Sequence, residues 1–126
     1  METPKKILVV DDDTNIREVI HLVLEAEGYD IRELGDGHDI AGTIHSFQPD
    51  IILLDVMLGE MDGRDICREL KHTAETADIP IIMVSATHRE EVIRDGDCRA
   101  NDYLAKPFDI GDLIRKVGFT LPHNNR

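Results

Sequence analysis

Cysteine is scarce in this chain. Cys67 and Cys98 stand 31 positions apart, with no CxxC pair and no histidine at zinc-site spacing. That argues against a zinc site and for reduced thiols in a cytosolic protein, so both read as small core or surface residues. Positive charge is also short. Against 26 Asp and Glu there are 14 Lys and Arg, and the net −12 repels phosphate backbones, so direct nucleic-acid binding is not expected. No apolar run approaches the roughly 20 residues that span a bilayer. The start, METPKKILVVDDD, turns acidic after too short an apolar core for a signal peptide, so no membrane partner and a cytoplasmic location are expected. There is no internal repeat, low-complexity tract or Ser/Gly linker, and only the tail LPHNNR reads as disordered. At 126 residues one domain with one core is expected.

What is present is ordered punctuation. Ile7–Val10, Ile51–Leu54 and Ile79–Val84 are continuously apolar, as strands covered on both faces of a parallel sheet would be. Asp30–Leu34 and Asp102–Lys106 are half polar, as edge strands tolerate. Between them run helical patterns. In Thr14–Glu27 the residues Ile16, Val19, Ile20, Val23 and Leu24 form a stripe, and Gly28 is placed to end the helix. Shorter stripes occupy His38–Phe47, Gly63–Lys71 and Asp109–Val117. Arg89–Arg99 is the weakest, because Asp95-Gly96-Asp97 breaks it, and a short or mobile element is expected there. Alternating strands and helices predict an α/β fold: a doubly wound, five-stranded parallel sheet in the order 2-1-3-4-5, with helices on both faces.

In such a sheet a crevice opens where the winding reverses, between the first and third strands, and both end in acid. Asp11, Asp12 and Asp13 follow the first strand and Asp55 the third. One such aspartate is ordinarily a turn or cap residue, and Asp12 or Asp13 can cap the helix that starts at Thr14. Carboxylates brought together repel unless a cation compensates, and an all-oxygen cluster with few ligands suits Mg2+. The fourth strand brings Ser85 to the same rim and the fifth brings Lys106, a hydroxyl and a cation for an anion. The set can hold a phosphoryl group on Asp55, with Asp55 as nucleophile and catalysis by positioning and charge neutralisation.

The motifs VVDDD, LLDVML..MDG, VSA and DYLAKPF, at 9–13, 54–63, 84–86 and 102–108, resemble those of the receiver domains of two-component response regulators, of the chemotaxis-regulator kind. The resemblance covers residues 5–119 and implies a flavodoxin-like fold, with the receiver over 1–121 and a disordered tail over 122–126. It implies that Asp55 takes phosphate from a phosphohistidine of a sensor histidine kinase or histidine phosphotransfer protein. Asp12 would bind Mg2+ directly, with Asp11 nearby or through water and Asp55 and the Met57 backbone carbonyl completing the ligands. Ser85 would hydrogen-bond the phosphoryl oxygens, Lys106 would pair with them, and the Lys106–Pro107 bond would be cis. Ser85 and Tyr103 would form the switch, with Tyr103 turning inward to reshape the face of the fourth helix, fifth strand and fifth helix. Such a protein is a signalling phosphoacceptor that promotes only its own phosphorylation and dephosphorylation, and the resemblance leaves open a phosphorylation-dependent homodimer.

The chain departs from the family pattern at Gly59, where proline is frequent and a less stiff loop 56–62 is expected, and at Arg99, where glycine is usual. Gly96 puts the fourth helix in doubt, and Met57 and Thr87 leave the phosphoryl lifetime open. Two other readings remain. A haloacid-dehalogenase-like phosphohydrolase would also use an aspartate and Mg2+, but needs a second aspartate where Met57 stands. An unphosphorylated scaffold would be expected to lack a site residue, and none is missing. Gly35-Asp-Gly37 has no third glycine at nucleotide-motif spacing, and the six histidines read as surface residues.

Overall fold

The computed structural model describes residues 3–86 and 98–122. The three apolar runs form the interior strands β1 (Lys6–Val10), β3 (Ile51–Asp55) and β6 (Ile81–Ser85). The half-polar runs form β2 (Asp30–Leu34) and β7 (Asp102–Ala105). All five pair in parallel in the order β2-β1-β3-β6-β7. With two short hairpin strands left out of the count, this is the predicted 2-1-3-4-5 order. Burial follows the same logic: β3 and β6 are buried along their whole length, whereas the polar residues of β2 and β7 lie where one side of the strand has no neighbour.

Successive side chains of a strand point to opposite faces, and two cores result. Leu8, Val10, Ile52, Leu54, Ile81 and Met83 pack against α2 (Ile40–Phe47) and α3 (Gly63–Lys71). Ile7, Val9, Ile51, Leu53, Ile82 and Val84 pack against α1 (Thr14–Ala26) and α4 (Ile110–Thr120). The sheet is therefore covered on both sides, as a doubly wound fold requires.

Local chemistry sets the ends of α1. The Asp13 side chain accepts from the amides of Asn15 (2.9 Å) and Ile16 (3.2 Å), which leaves Asp11 and Asp12 for other work. At the far end Gly28 takes φ 98°, its amide reaches Glu25 O at 2.9 Å, and the Tyr29 amide reaches Leu24 O at 3.2 Å. This left-handed closure is one that glycine makes without strain. Val19, expected in the buried stripe, is instead 42% exposed.

Several bounds differ from expectation. The fourth sheet strand begins at Ile81, because Pro80 has no N–H to give an interior ladder. The second helix begins at Ile40, after a turn in which Asp36 accepts from the His38 amide, and the last helix runs on to Thr120. Loop 56–62, expected to be less stiff than with proline at Gly59, carries an antiparallel hairpin, β4 (Met57–Leu58) with β5 (Met61–Asp62), turning at Gly59 with φ 62°. The element expected over Arg89–Arg99, with Gly96, lies outside the described residues except at its last two positions, as do Thr87 and tail residues 123–126.

Arg99 is described, at φ 59°, the left-handed region glycine occupies freely. A residue with a Cβ spends roughly 1–2 kcal/mol there, while glycine costs about 0.5–1 kcal/mol in unfolded-chain entropy. Arg99→Gly is expected to stabilise the protein by up to about 1 kcal/mol, a rise of a few degrees in thermal unfolding. A fall would show that Arg99 is not strained.

Candidate functional site

The parallel pairing brings the ends of β1, β3, β6 and β7 to one rim. Asp55 is opposite Val84, so Ser85 sits one residue beyond it, and Ser85 is opposite Ala105, after which comes Lys106. One oxygen each of Asp11, Asp12 and Asp55 lie within 4.8 Å of one another. Lys106 Nζ stands 2.9 Å from Asp11 Oδ2 and 3.2 Å from Asp55 Oδ2. Four residues from three separate segments of the chain thus share one site.

Each carboxylate is held differently. Asp11 is buried, and its Oδ1 accepts from the Asp13 amide at 2.9 Å. Its Oδ2 is, among the described residues, the buried side-chain oxygen that accepts no hydrogen bond, with only the nearby ammonium as ion-pair partner. Asp12 is exposed and accepts from the Gly59 amide at 3.1 Å. Asp55 is only 4% exposed, and the Met57 amide donates to its Oδ1 at 3.2 Å.

The electrostatics follow from this crowding. Burial, and then the charge of Asp11, push the Asp55 carboxyl up to about 6, against the opposing pull of Lys106 and the Met57 amide. Burial works against the charge of Lys106, but the carboxylates of Asp11 and Asp55 facing it outweigh burial and hold the ammonium above its ordinary range. One cation facing three carboxylates leaves negative charge uncompensated. The three convergent carboxylates, that of Asp11 keeping an oxygen without a hydrogen bond and that of Asp12 exposed, suit a small divalent ion that keeps part of its hydration shell.

The remaining predicted residues are placed as follows. Ser85 is buried at the end of β6, and its carbonyl accepts from the Lys106 amide at 2.7 Å. Met57 follows the acceptor strand with its side chain exposed. Tyr103 is half-buried on β7 opposite Met83 and packs on the core shared with α2 and α3. The Lys106–Pro107 bond is cis.

Three features escaped the sequence reading. A Cβ built on Gly63 would stand 2.0 Å from the Asp55 carbonyl oxygen, and the Gly63 amide donates to Val56 O at 2.7 Å, so α3 starts hard against the acceptor backbone. The MDG motif carried the signal without its reason. Arg17 donates to Asp11 O at 2.7 Å and pairs with Glu33 at 3.0 Å, steadying the turn after β1. His21 is not a plain surface residue: it is half-buried against Glu33, with Glu25 at 3.5 Å.

A buried carboxyl flanked by acids and closed by a lysine, on the carboxyl rim of a doubly wound parallel sheet, defines the signal-receiver class of α/β domains. Comparison agrees. Residues 7–118 match the response regulator receiver domain, and the chain belongs to that family. It is 37% identical over 122 residues to the DNA-binding dual master transcriptional regulator RpaA of Synechocystis, covering 96% of this chain and 51% of that protein. It is equally identical over 122 residues to the DNA-binding response regulator MtrA of Mycolicibacterium paratuberculosis, covering 96% and 53%. The chain therefore spans about half the length of these curated relatives. Among solved structures it resembles the chemotaxis protein CheY4 of Vibrio cholerae, with TM-score 0.87, 25% identity and 94% and 100% of the two chains covered. The receiver domain of the Francisella response regulator 1452 gives 0.82, 32% identity, and 92% and 95% coverage. These matches do not favour the phosphohydrolase or scaffold readings. No helix among the described residues is long and apolar enough to cross a membrane.

Proposed function

We propose that Asp55 accepts a phosphoryl group from a phosphohistidine on a sensor kinase or phosphotransfer protein, and that this switches a protein-binding face. The observation that carries the reading is the buried Asp55 carboxylate with Lys106 and two further acids in contact range, on a rim open to a donor. Asp11, Asp12 and Asp55, with the Met57 carbonyl, would hold Mg2+, which when bound neutralises charge between carboxylate and phosphoryl oxygens. The residues of the chain do the rest. The end of β3 aims Asp55 at the donor, Lys106 offsets charge on the transferred group, and Ser85 offers its hydroxyl to a phosphoryl oxygen.

Beside the pocket, Asn15, Ile16, Val19, Lys106, Pro107 and Phe108 line a shallow depression of about 240 Å³. An apolar floor next to Lys106 supports docking of a donor protein there. Movement of Ser85 toward the phosphate would free Tyr103 to turn inward, changing the face around β7 and α4. The net charge of −12 supports a protein, and not nucleic acid, as the partner of these residues. A cytoplasmic location and a role confined to the protein's own phosphorylation fit the same reading, and a homodimer formed on phosphorylation is tested by sizing the phosphorylated chain.

The deciding experiment is intact mass after incubation with acetyl phosphate, with and without Mg2+, for wild type and Asp55→Asn. A metal-dependent gain of one phosphoryl group in wild type alone is expected. Equal gain in both proteins would move the acceptor elsewhere, and rapid turnover of unrelated phosphate esters would favour a hydrolase.

A further inference from the structure

The turn that carries Asp11 and Asp12 is fastened from outside the pocket. The Asp11 amide donates to Leu34 O at 3.1 Å, which ties the turn to the end of β2. Each carboxylate takes one backbone amide, Asp13 on Asp11 Oδ1 at 2.9 Å and Gly59 on Asp12 Oδ2 at 3.1 Å. Between them lies the Asp11–Asp12 peptide, and its carbonyl is held by a side chain: Arg17 Nη1 donates to Asp11 O at 2.7 Å. Rotation of that peptide would change ψ of Asp11 and φ of Asp12 and swing the Asp12 carboxylate. Asp12 is exposed, so packing does not resist the swing.

Arg17 is itself held. Its guanidinium, one turn into α1, donates through Nε to Glu33 Oε1 at 3.0 Å while Nη1 faces the turn. His21, one turn further along α1, stands against the other Glu33 oxygen, so that carboxylate is gripped on both sides. Glu33 is fixed in turn by β2, where it lies opposite Val9. The Arg17 and Glu33 side chains are only 18% and 27% exposed, which leaves water little access to compete for the bond. Gly35 leaves the guanidinium its space: a Cβ there would stand 3.2 Å from Arg17 Nη1, inside ordinary contact. An exposed ion pair would contribute little by itself, but this one aims a rigid fork whose second arm reaches Asp11.

We propose that Arg17 is a positioning residue for metal binding: through the Asp11 carbonyl it sets the turn so that the Asp11 and Asp12 carboxylates meet Asp55, with Glu33 and His21 aiming its guanidinium. This role rests on the reading of the acidic pocket as a Mg2+ site. Outer hydrogen bonds that orient a ligand carry roughly 10–100-fold in metal affinity. Charge alone predicts the opposite sign. A guanidinium beside an acidic pocket repels a divalent cation, so deleting it and leaving Glu33 unpaired would, by Coulomb's law, tighten metal binding. Positioning predicts that the same deletion weakens it.

The test titrates the folded chain with Mn2+, which takes the same oxygen ligands as Mg2+, and follows the free ion by electron paramagnetic resonance. In Arg17→Met, with a native circular dichroism spectrum retained, a dissociation constant raised about tenfold is expected. Affinity equal to that of wild type, or tighter, would overturn the proposal. Should Arg17→Met fail to fold, Arg17→Lys decides. It keeps the charge, but one ammonium on a flexible stem cannot serve Glu33 and the Asp11 carbonyl as a fork, so severalfold weaker binding is expected and unchanged binding overturns the proposal. Asp12→Asn separates this role from the metal reading beneath it, and should weaken Mn2+ binding beyond Arg17→Met. If wild type shows no saturable site, or Asp12→Asn keeps it intact, the metal reading falls and the positioning role with it.

Discussion

Gly63→Ala is expected to lower stability by about 3 kcal/mol, roughly 10 °C in the thermal midpoint, and to abolish efficient phosphorylation. The added methyl has no room: its ideal position is 2.0 Å from the Asp55 carbonyl oxygen and 3.1 Å from the Val56 Cα. Both neighbours are backbone, so no rotamer change relieves the overlap. Either α3 moves away, losing the Gly63 to Val56 hydrogen bond and the packing of Ile66 and Cys67, or the end of β3 shifts and carries the Asp55 side chain with it. A shift of a few tenths of an ångström matters where an acceptor must meet a phosphorus atom in line. Gly118→Ala is the control. It lies in α4 with nothing within 4 Å of a new Cβ, and alanine there should stabilise by about 1 kcal/mol through helix propensity. Thermal unfolding of both variants, with phosphorylated fraction by mass, checks the pair. A Gly63→Ala protein as stable and as readily phosphorylated as wild type would show that the approach of α3 to β3 is not tight.

The second large effect is electrostatic. In chelator, the Asp55 carboxyl ionises near 6 when folded, against 3.8 for an unstrained aspartate. The folded state therefore holds a proton that the unfolded state has released between those values, and stability falls as pH rises from about 4 to 6, then levels off. At about 1.4 kcal/mol per pKa unit the loss is about 2–3 kcal/mol. Asp55→Asn removes the ionisation, so the metal-free variant should be more stable than wild type by about that amount at pH 7 and nearly equal to it at pH 4. The difference between the two proteins is the quantity to measure, by urea unfolding at several pH values. Millimolar Mg2+ should narrow the gap at pH 7 by stabilising wild type and leaving Asp55→Asn nearly unmoved. A variant less stable than wild type at pH 7 in chelator would mean that Lys106 already compensates the acidic cluster.

Much of this was legible without coordinates. Interior strands of a parallel sheet lack a solvent face, so they appear in the sequence as unbroken apolar runs, and β1, β3 and β6 do. Edge strands keep polar residues because one flank has no neighbour, which is how β2 and β7 were recognised. The acids and the lysine could be assigned to one rim because parallel strands all end on the same side. The hairpin at Met57–Asp62 was not legible, since two residues per strand give no periodicity and a glycine alone predicts a turn of any kind. Nor could the exposure of Val19 be read from its place in the stripe.

Sequence alone therefore determined the order of strands in the main sheet and the residues at its acidic rim. Those follow from periodicity and chain direction, which are local properties. Tertiary structure alone decided which of three consecutive aspartates caps a helix, why Gly63 tolerates no side chain, and that Cys67 and Cys98 meet in one core cluster. The cap is a local choice among three like side chains, and the other two depend on contacts across the fold; a one-dimensional pattern carries no distances.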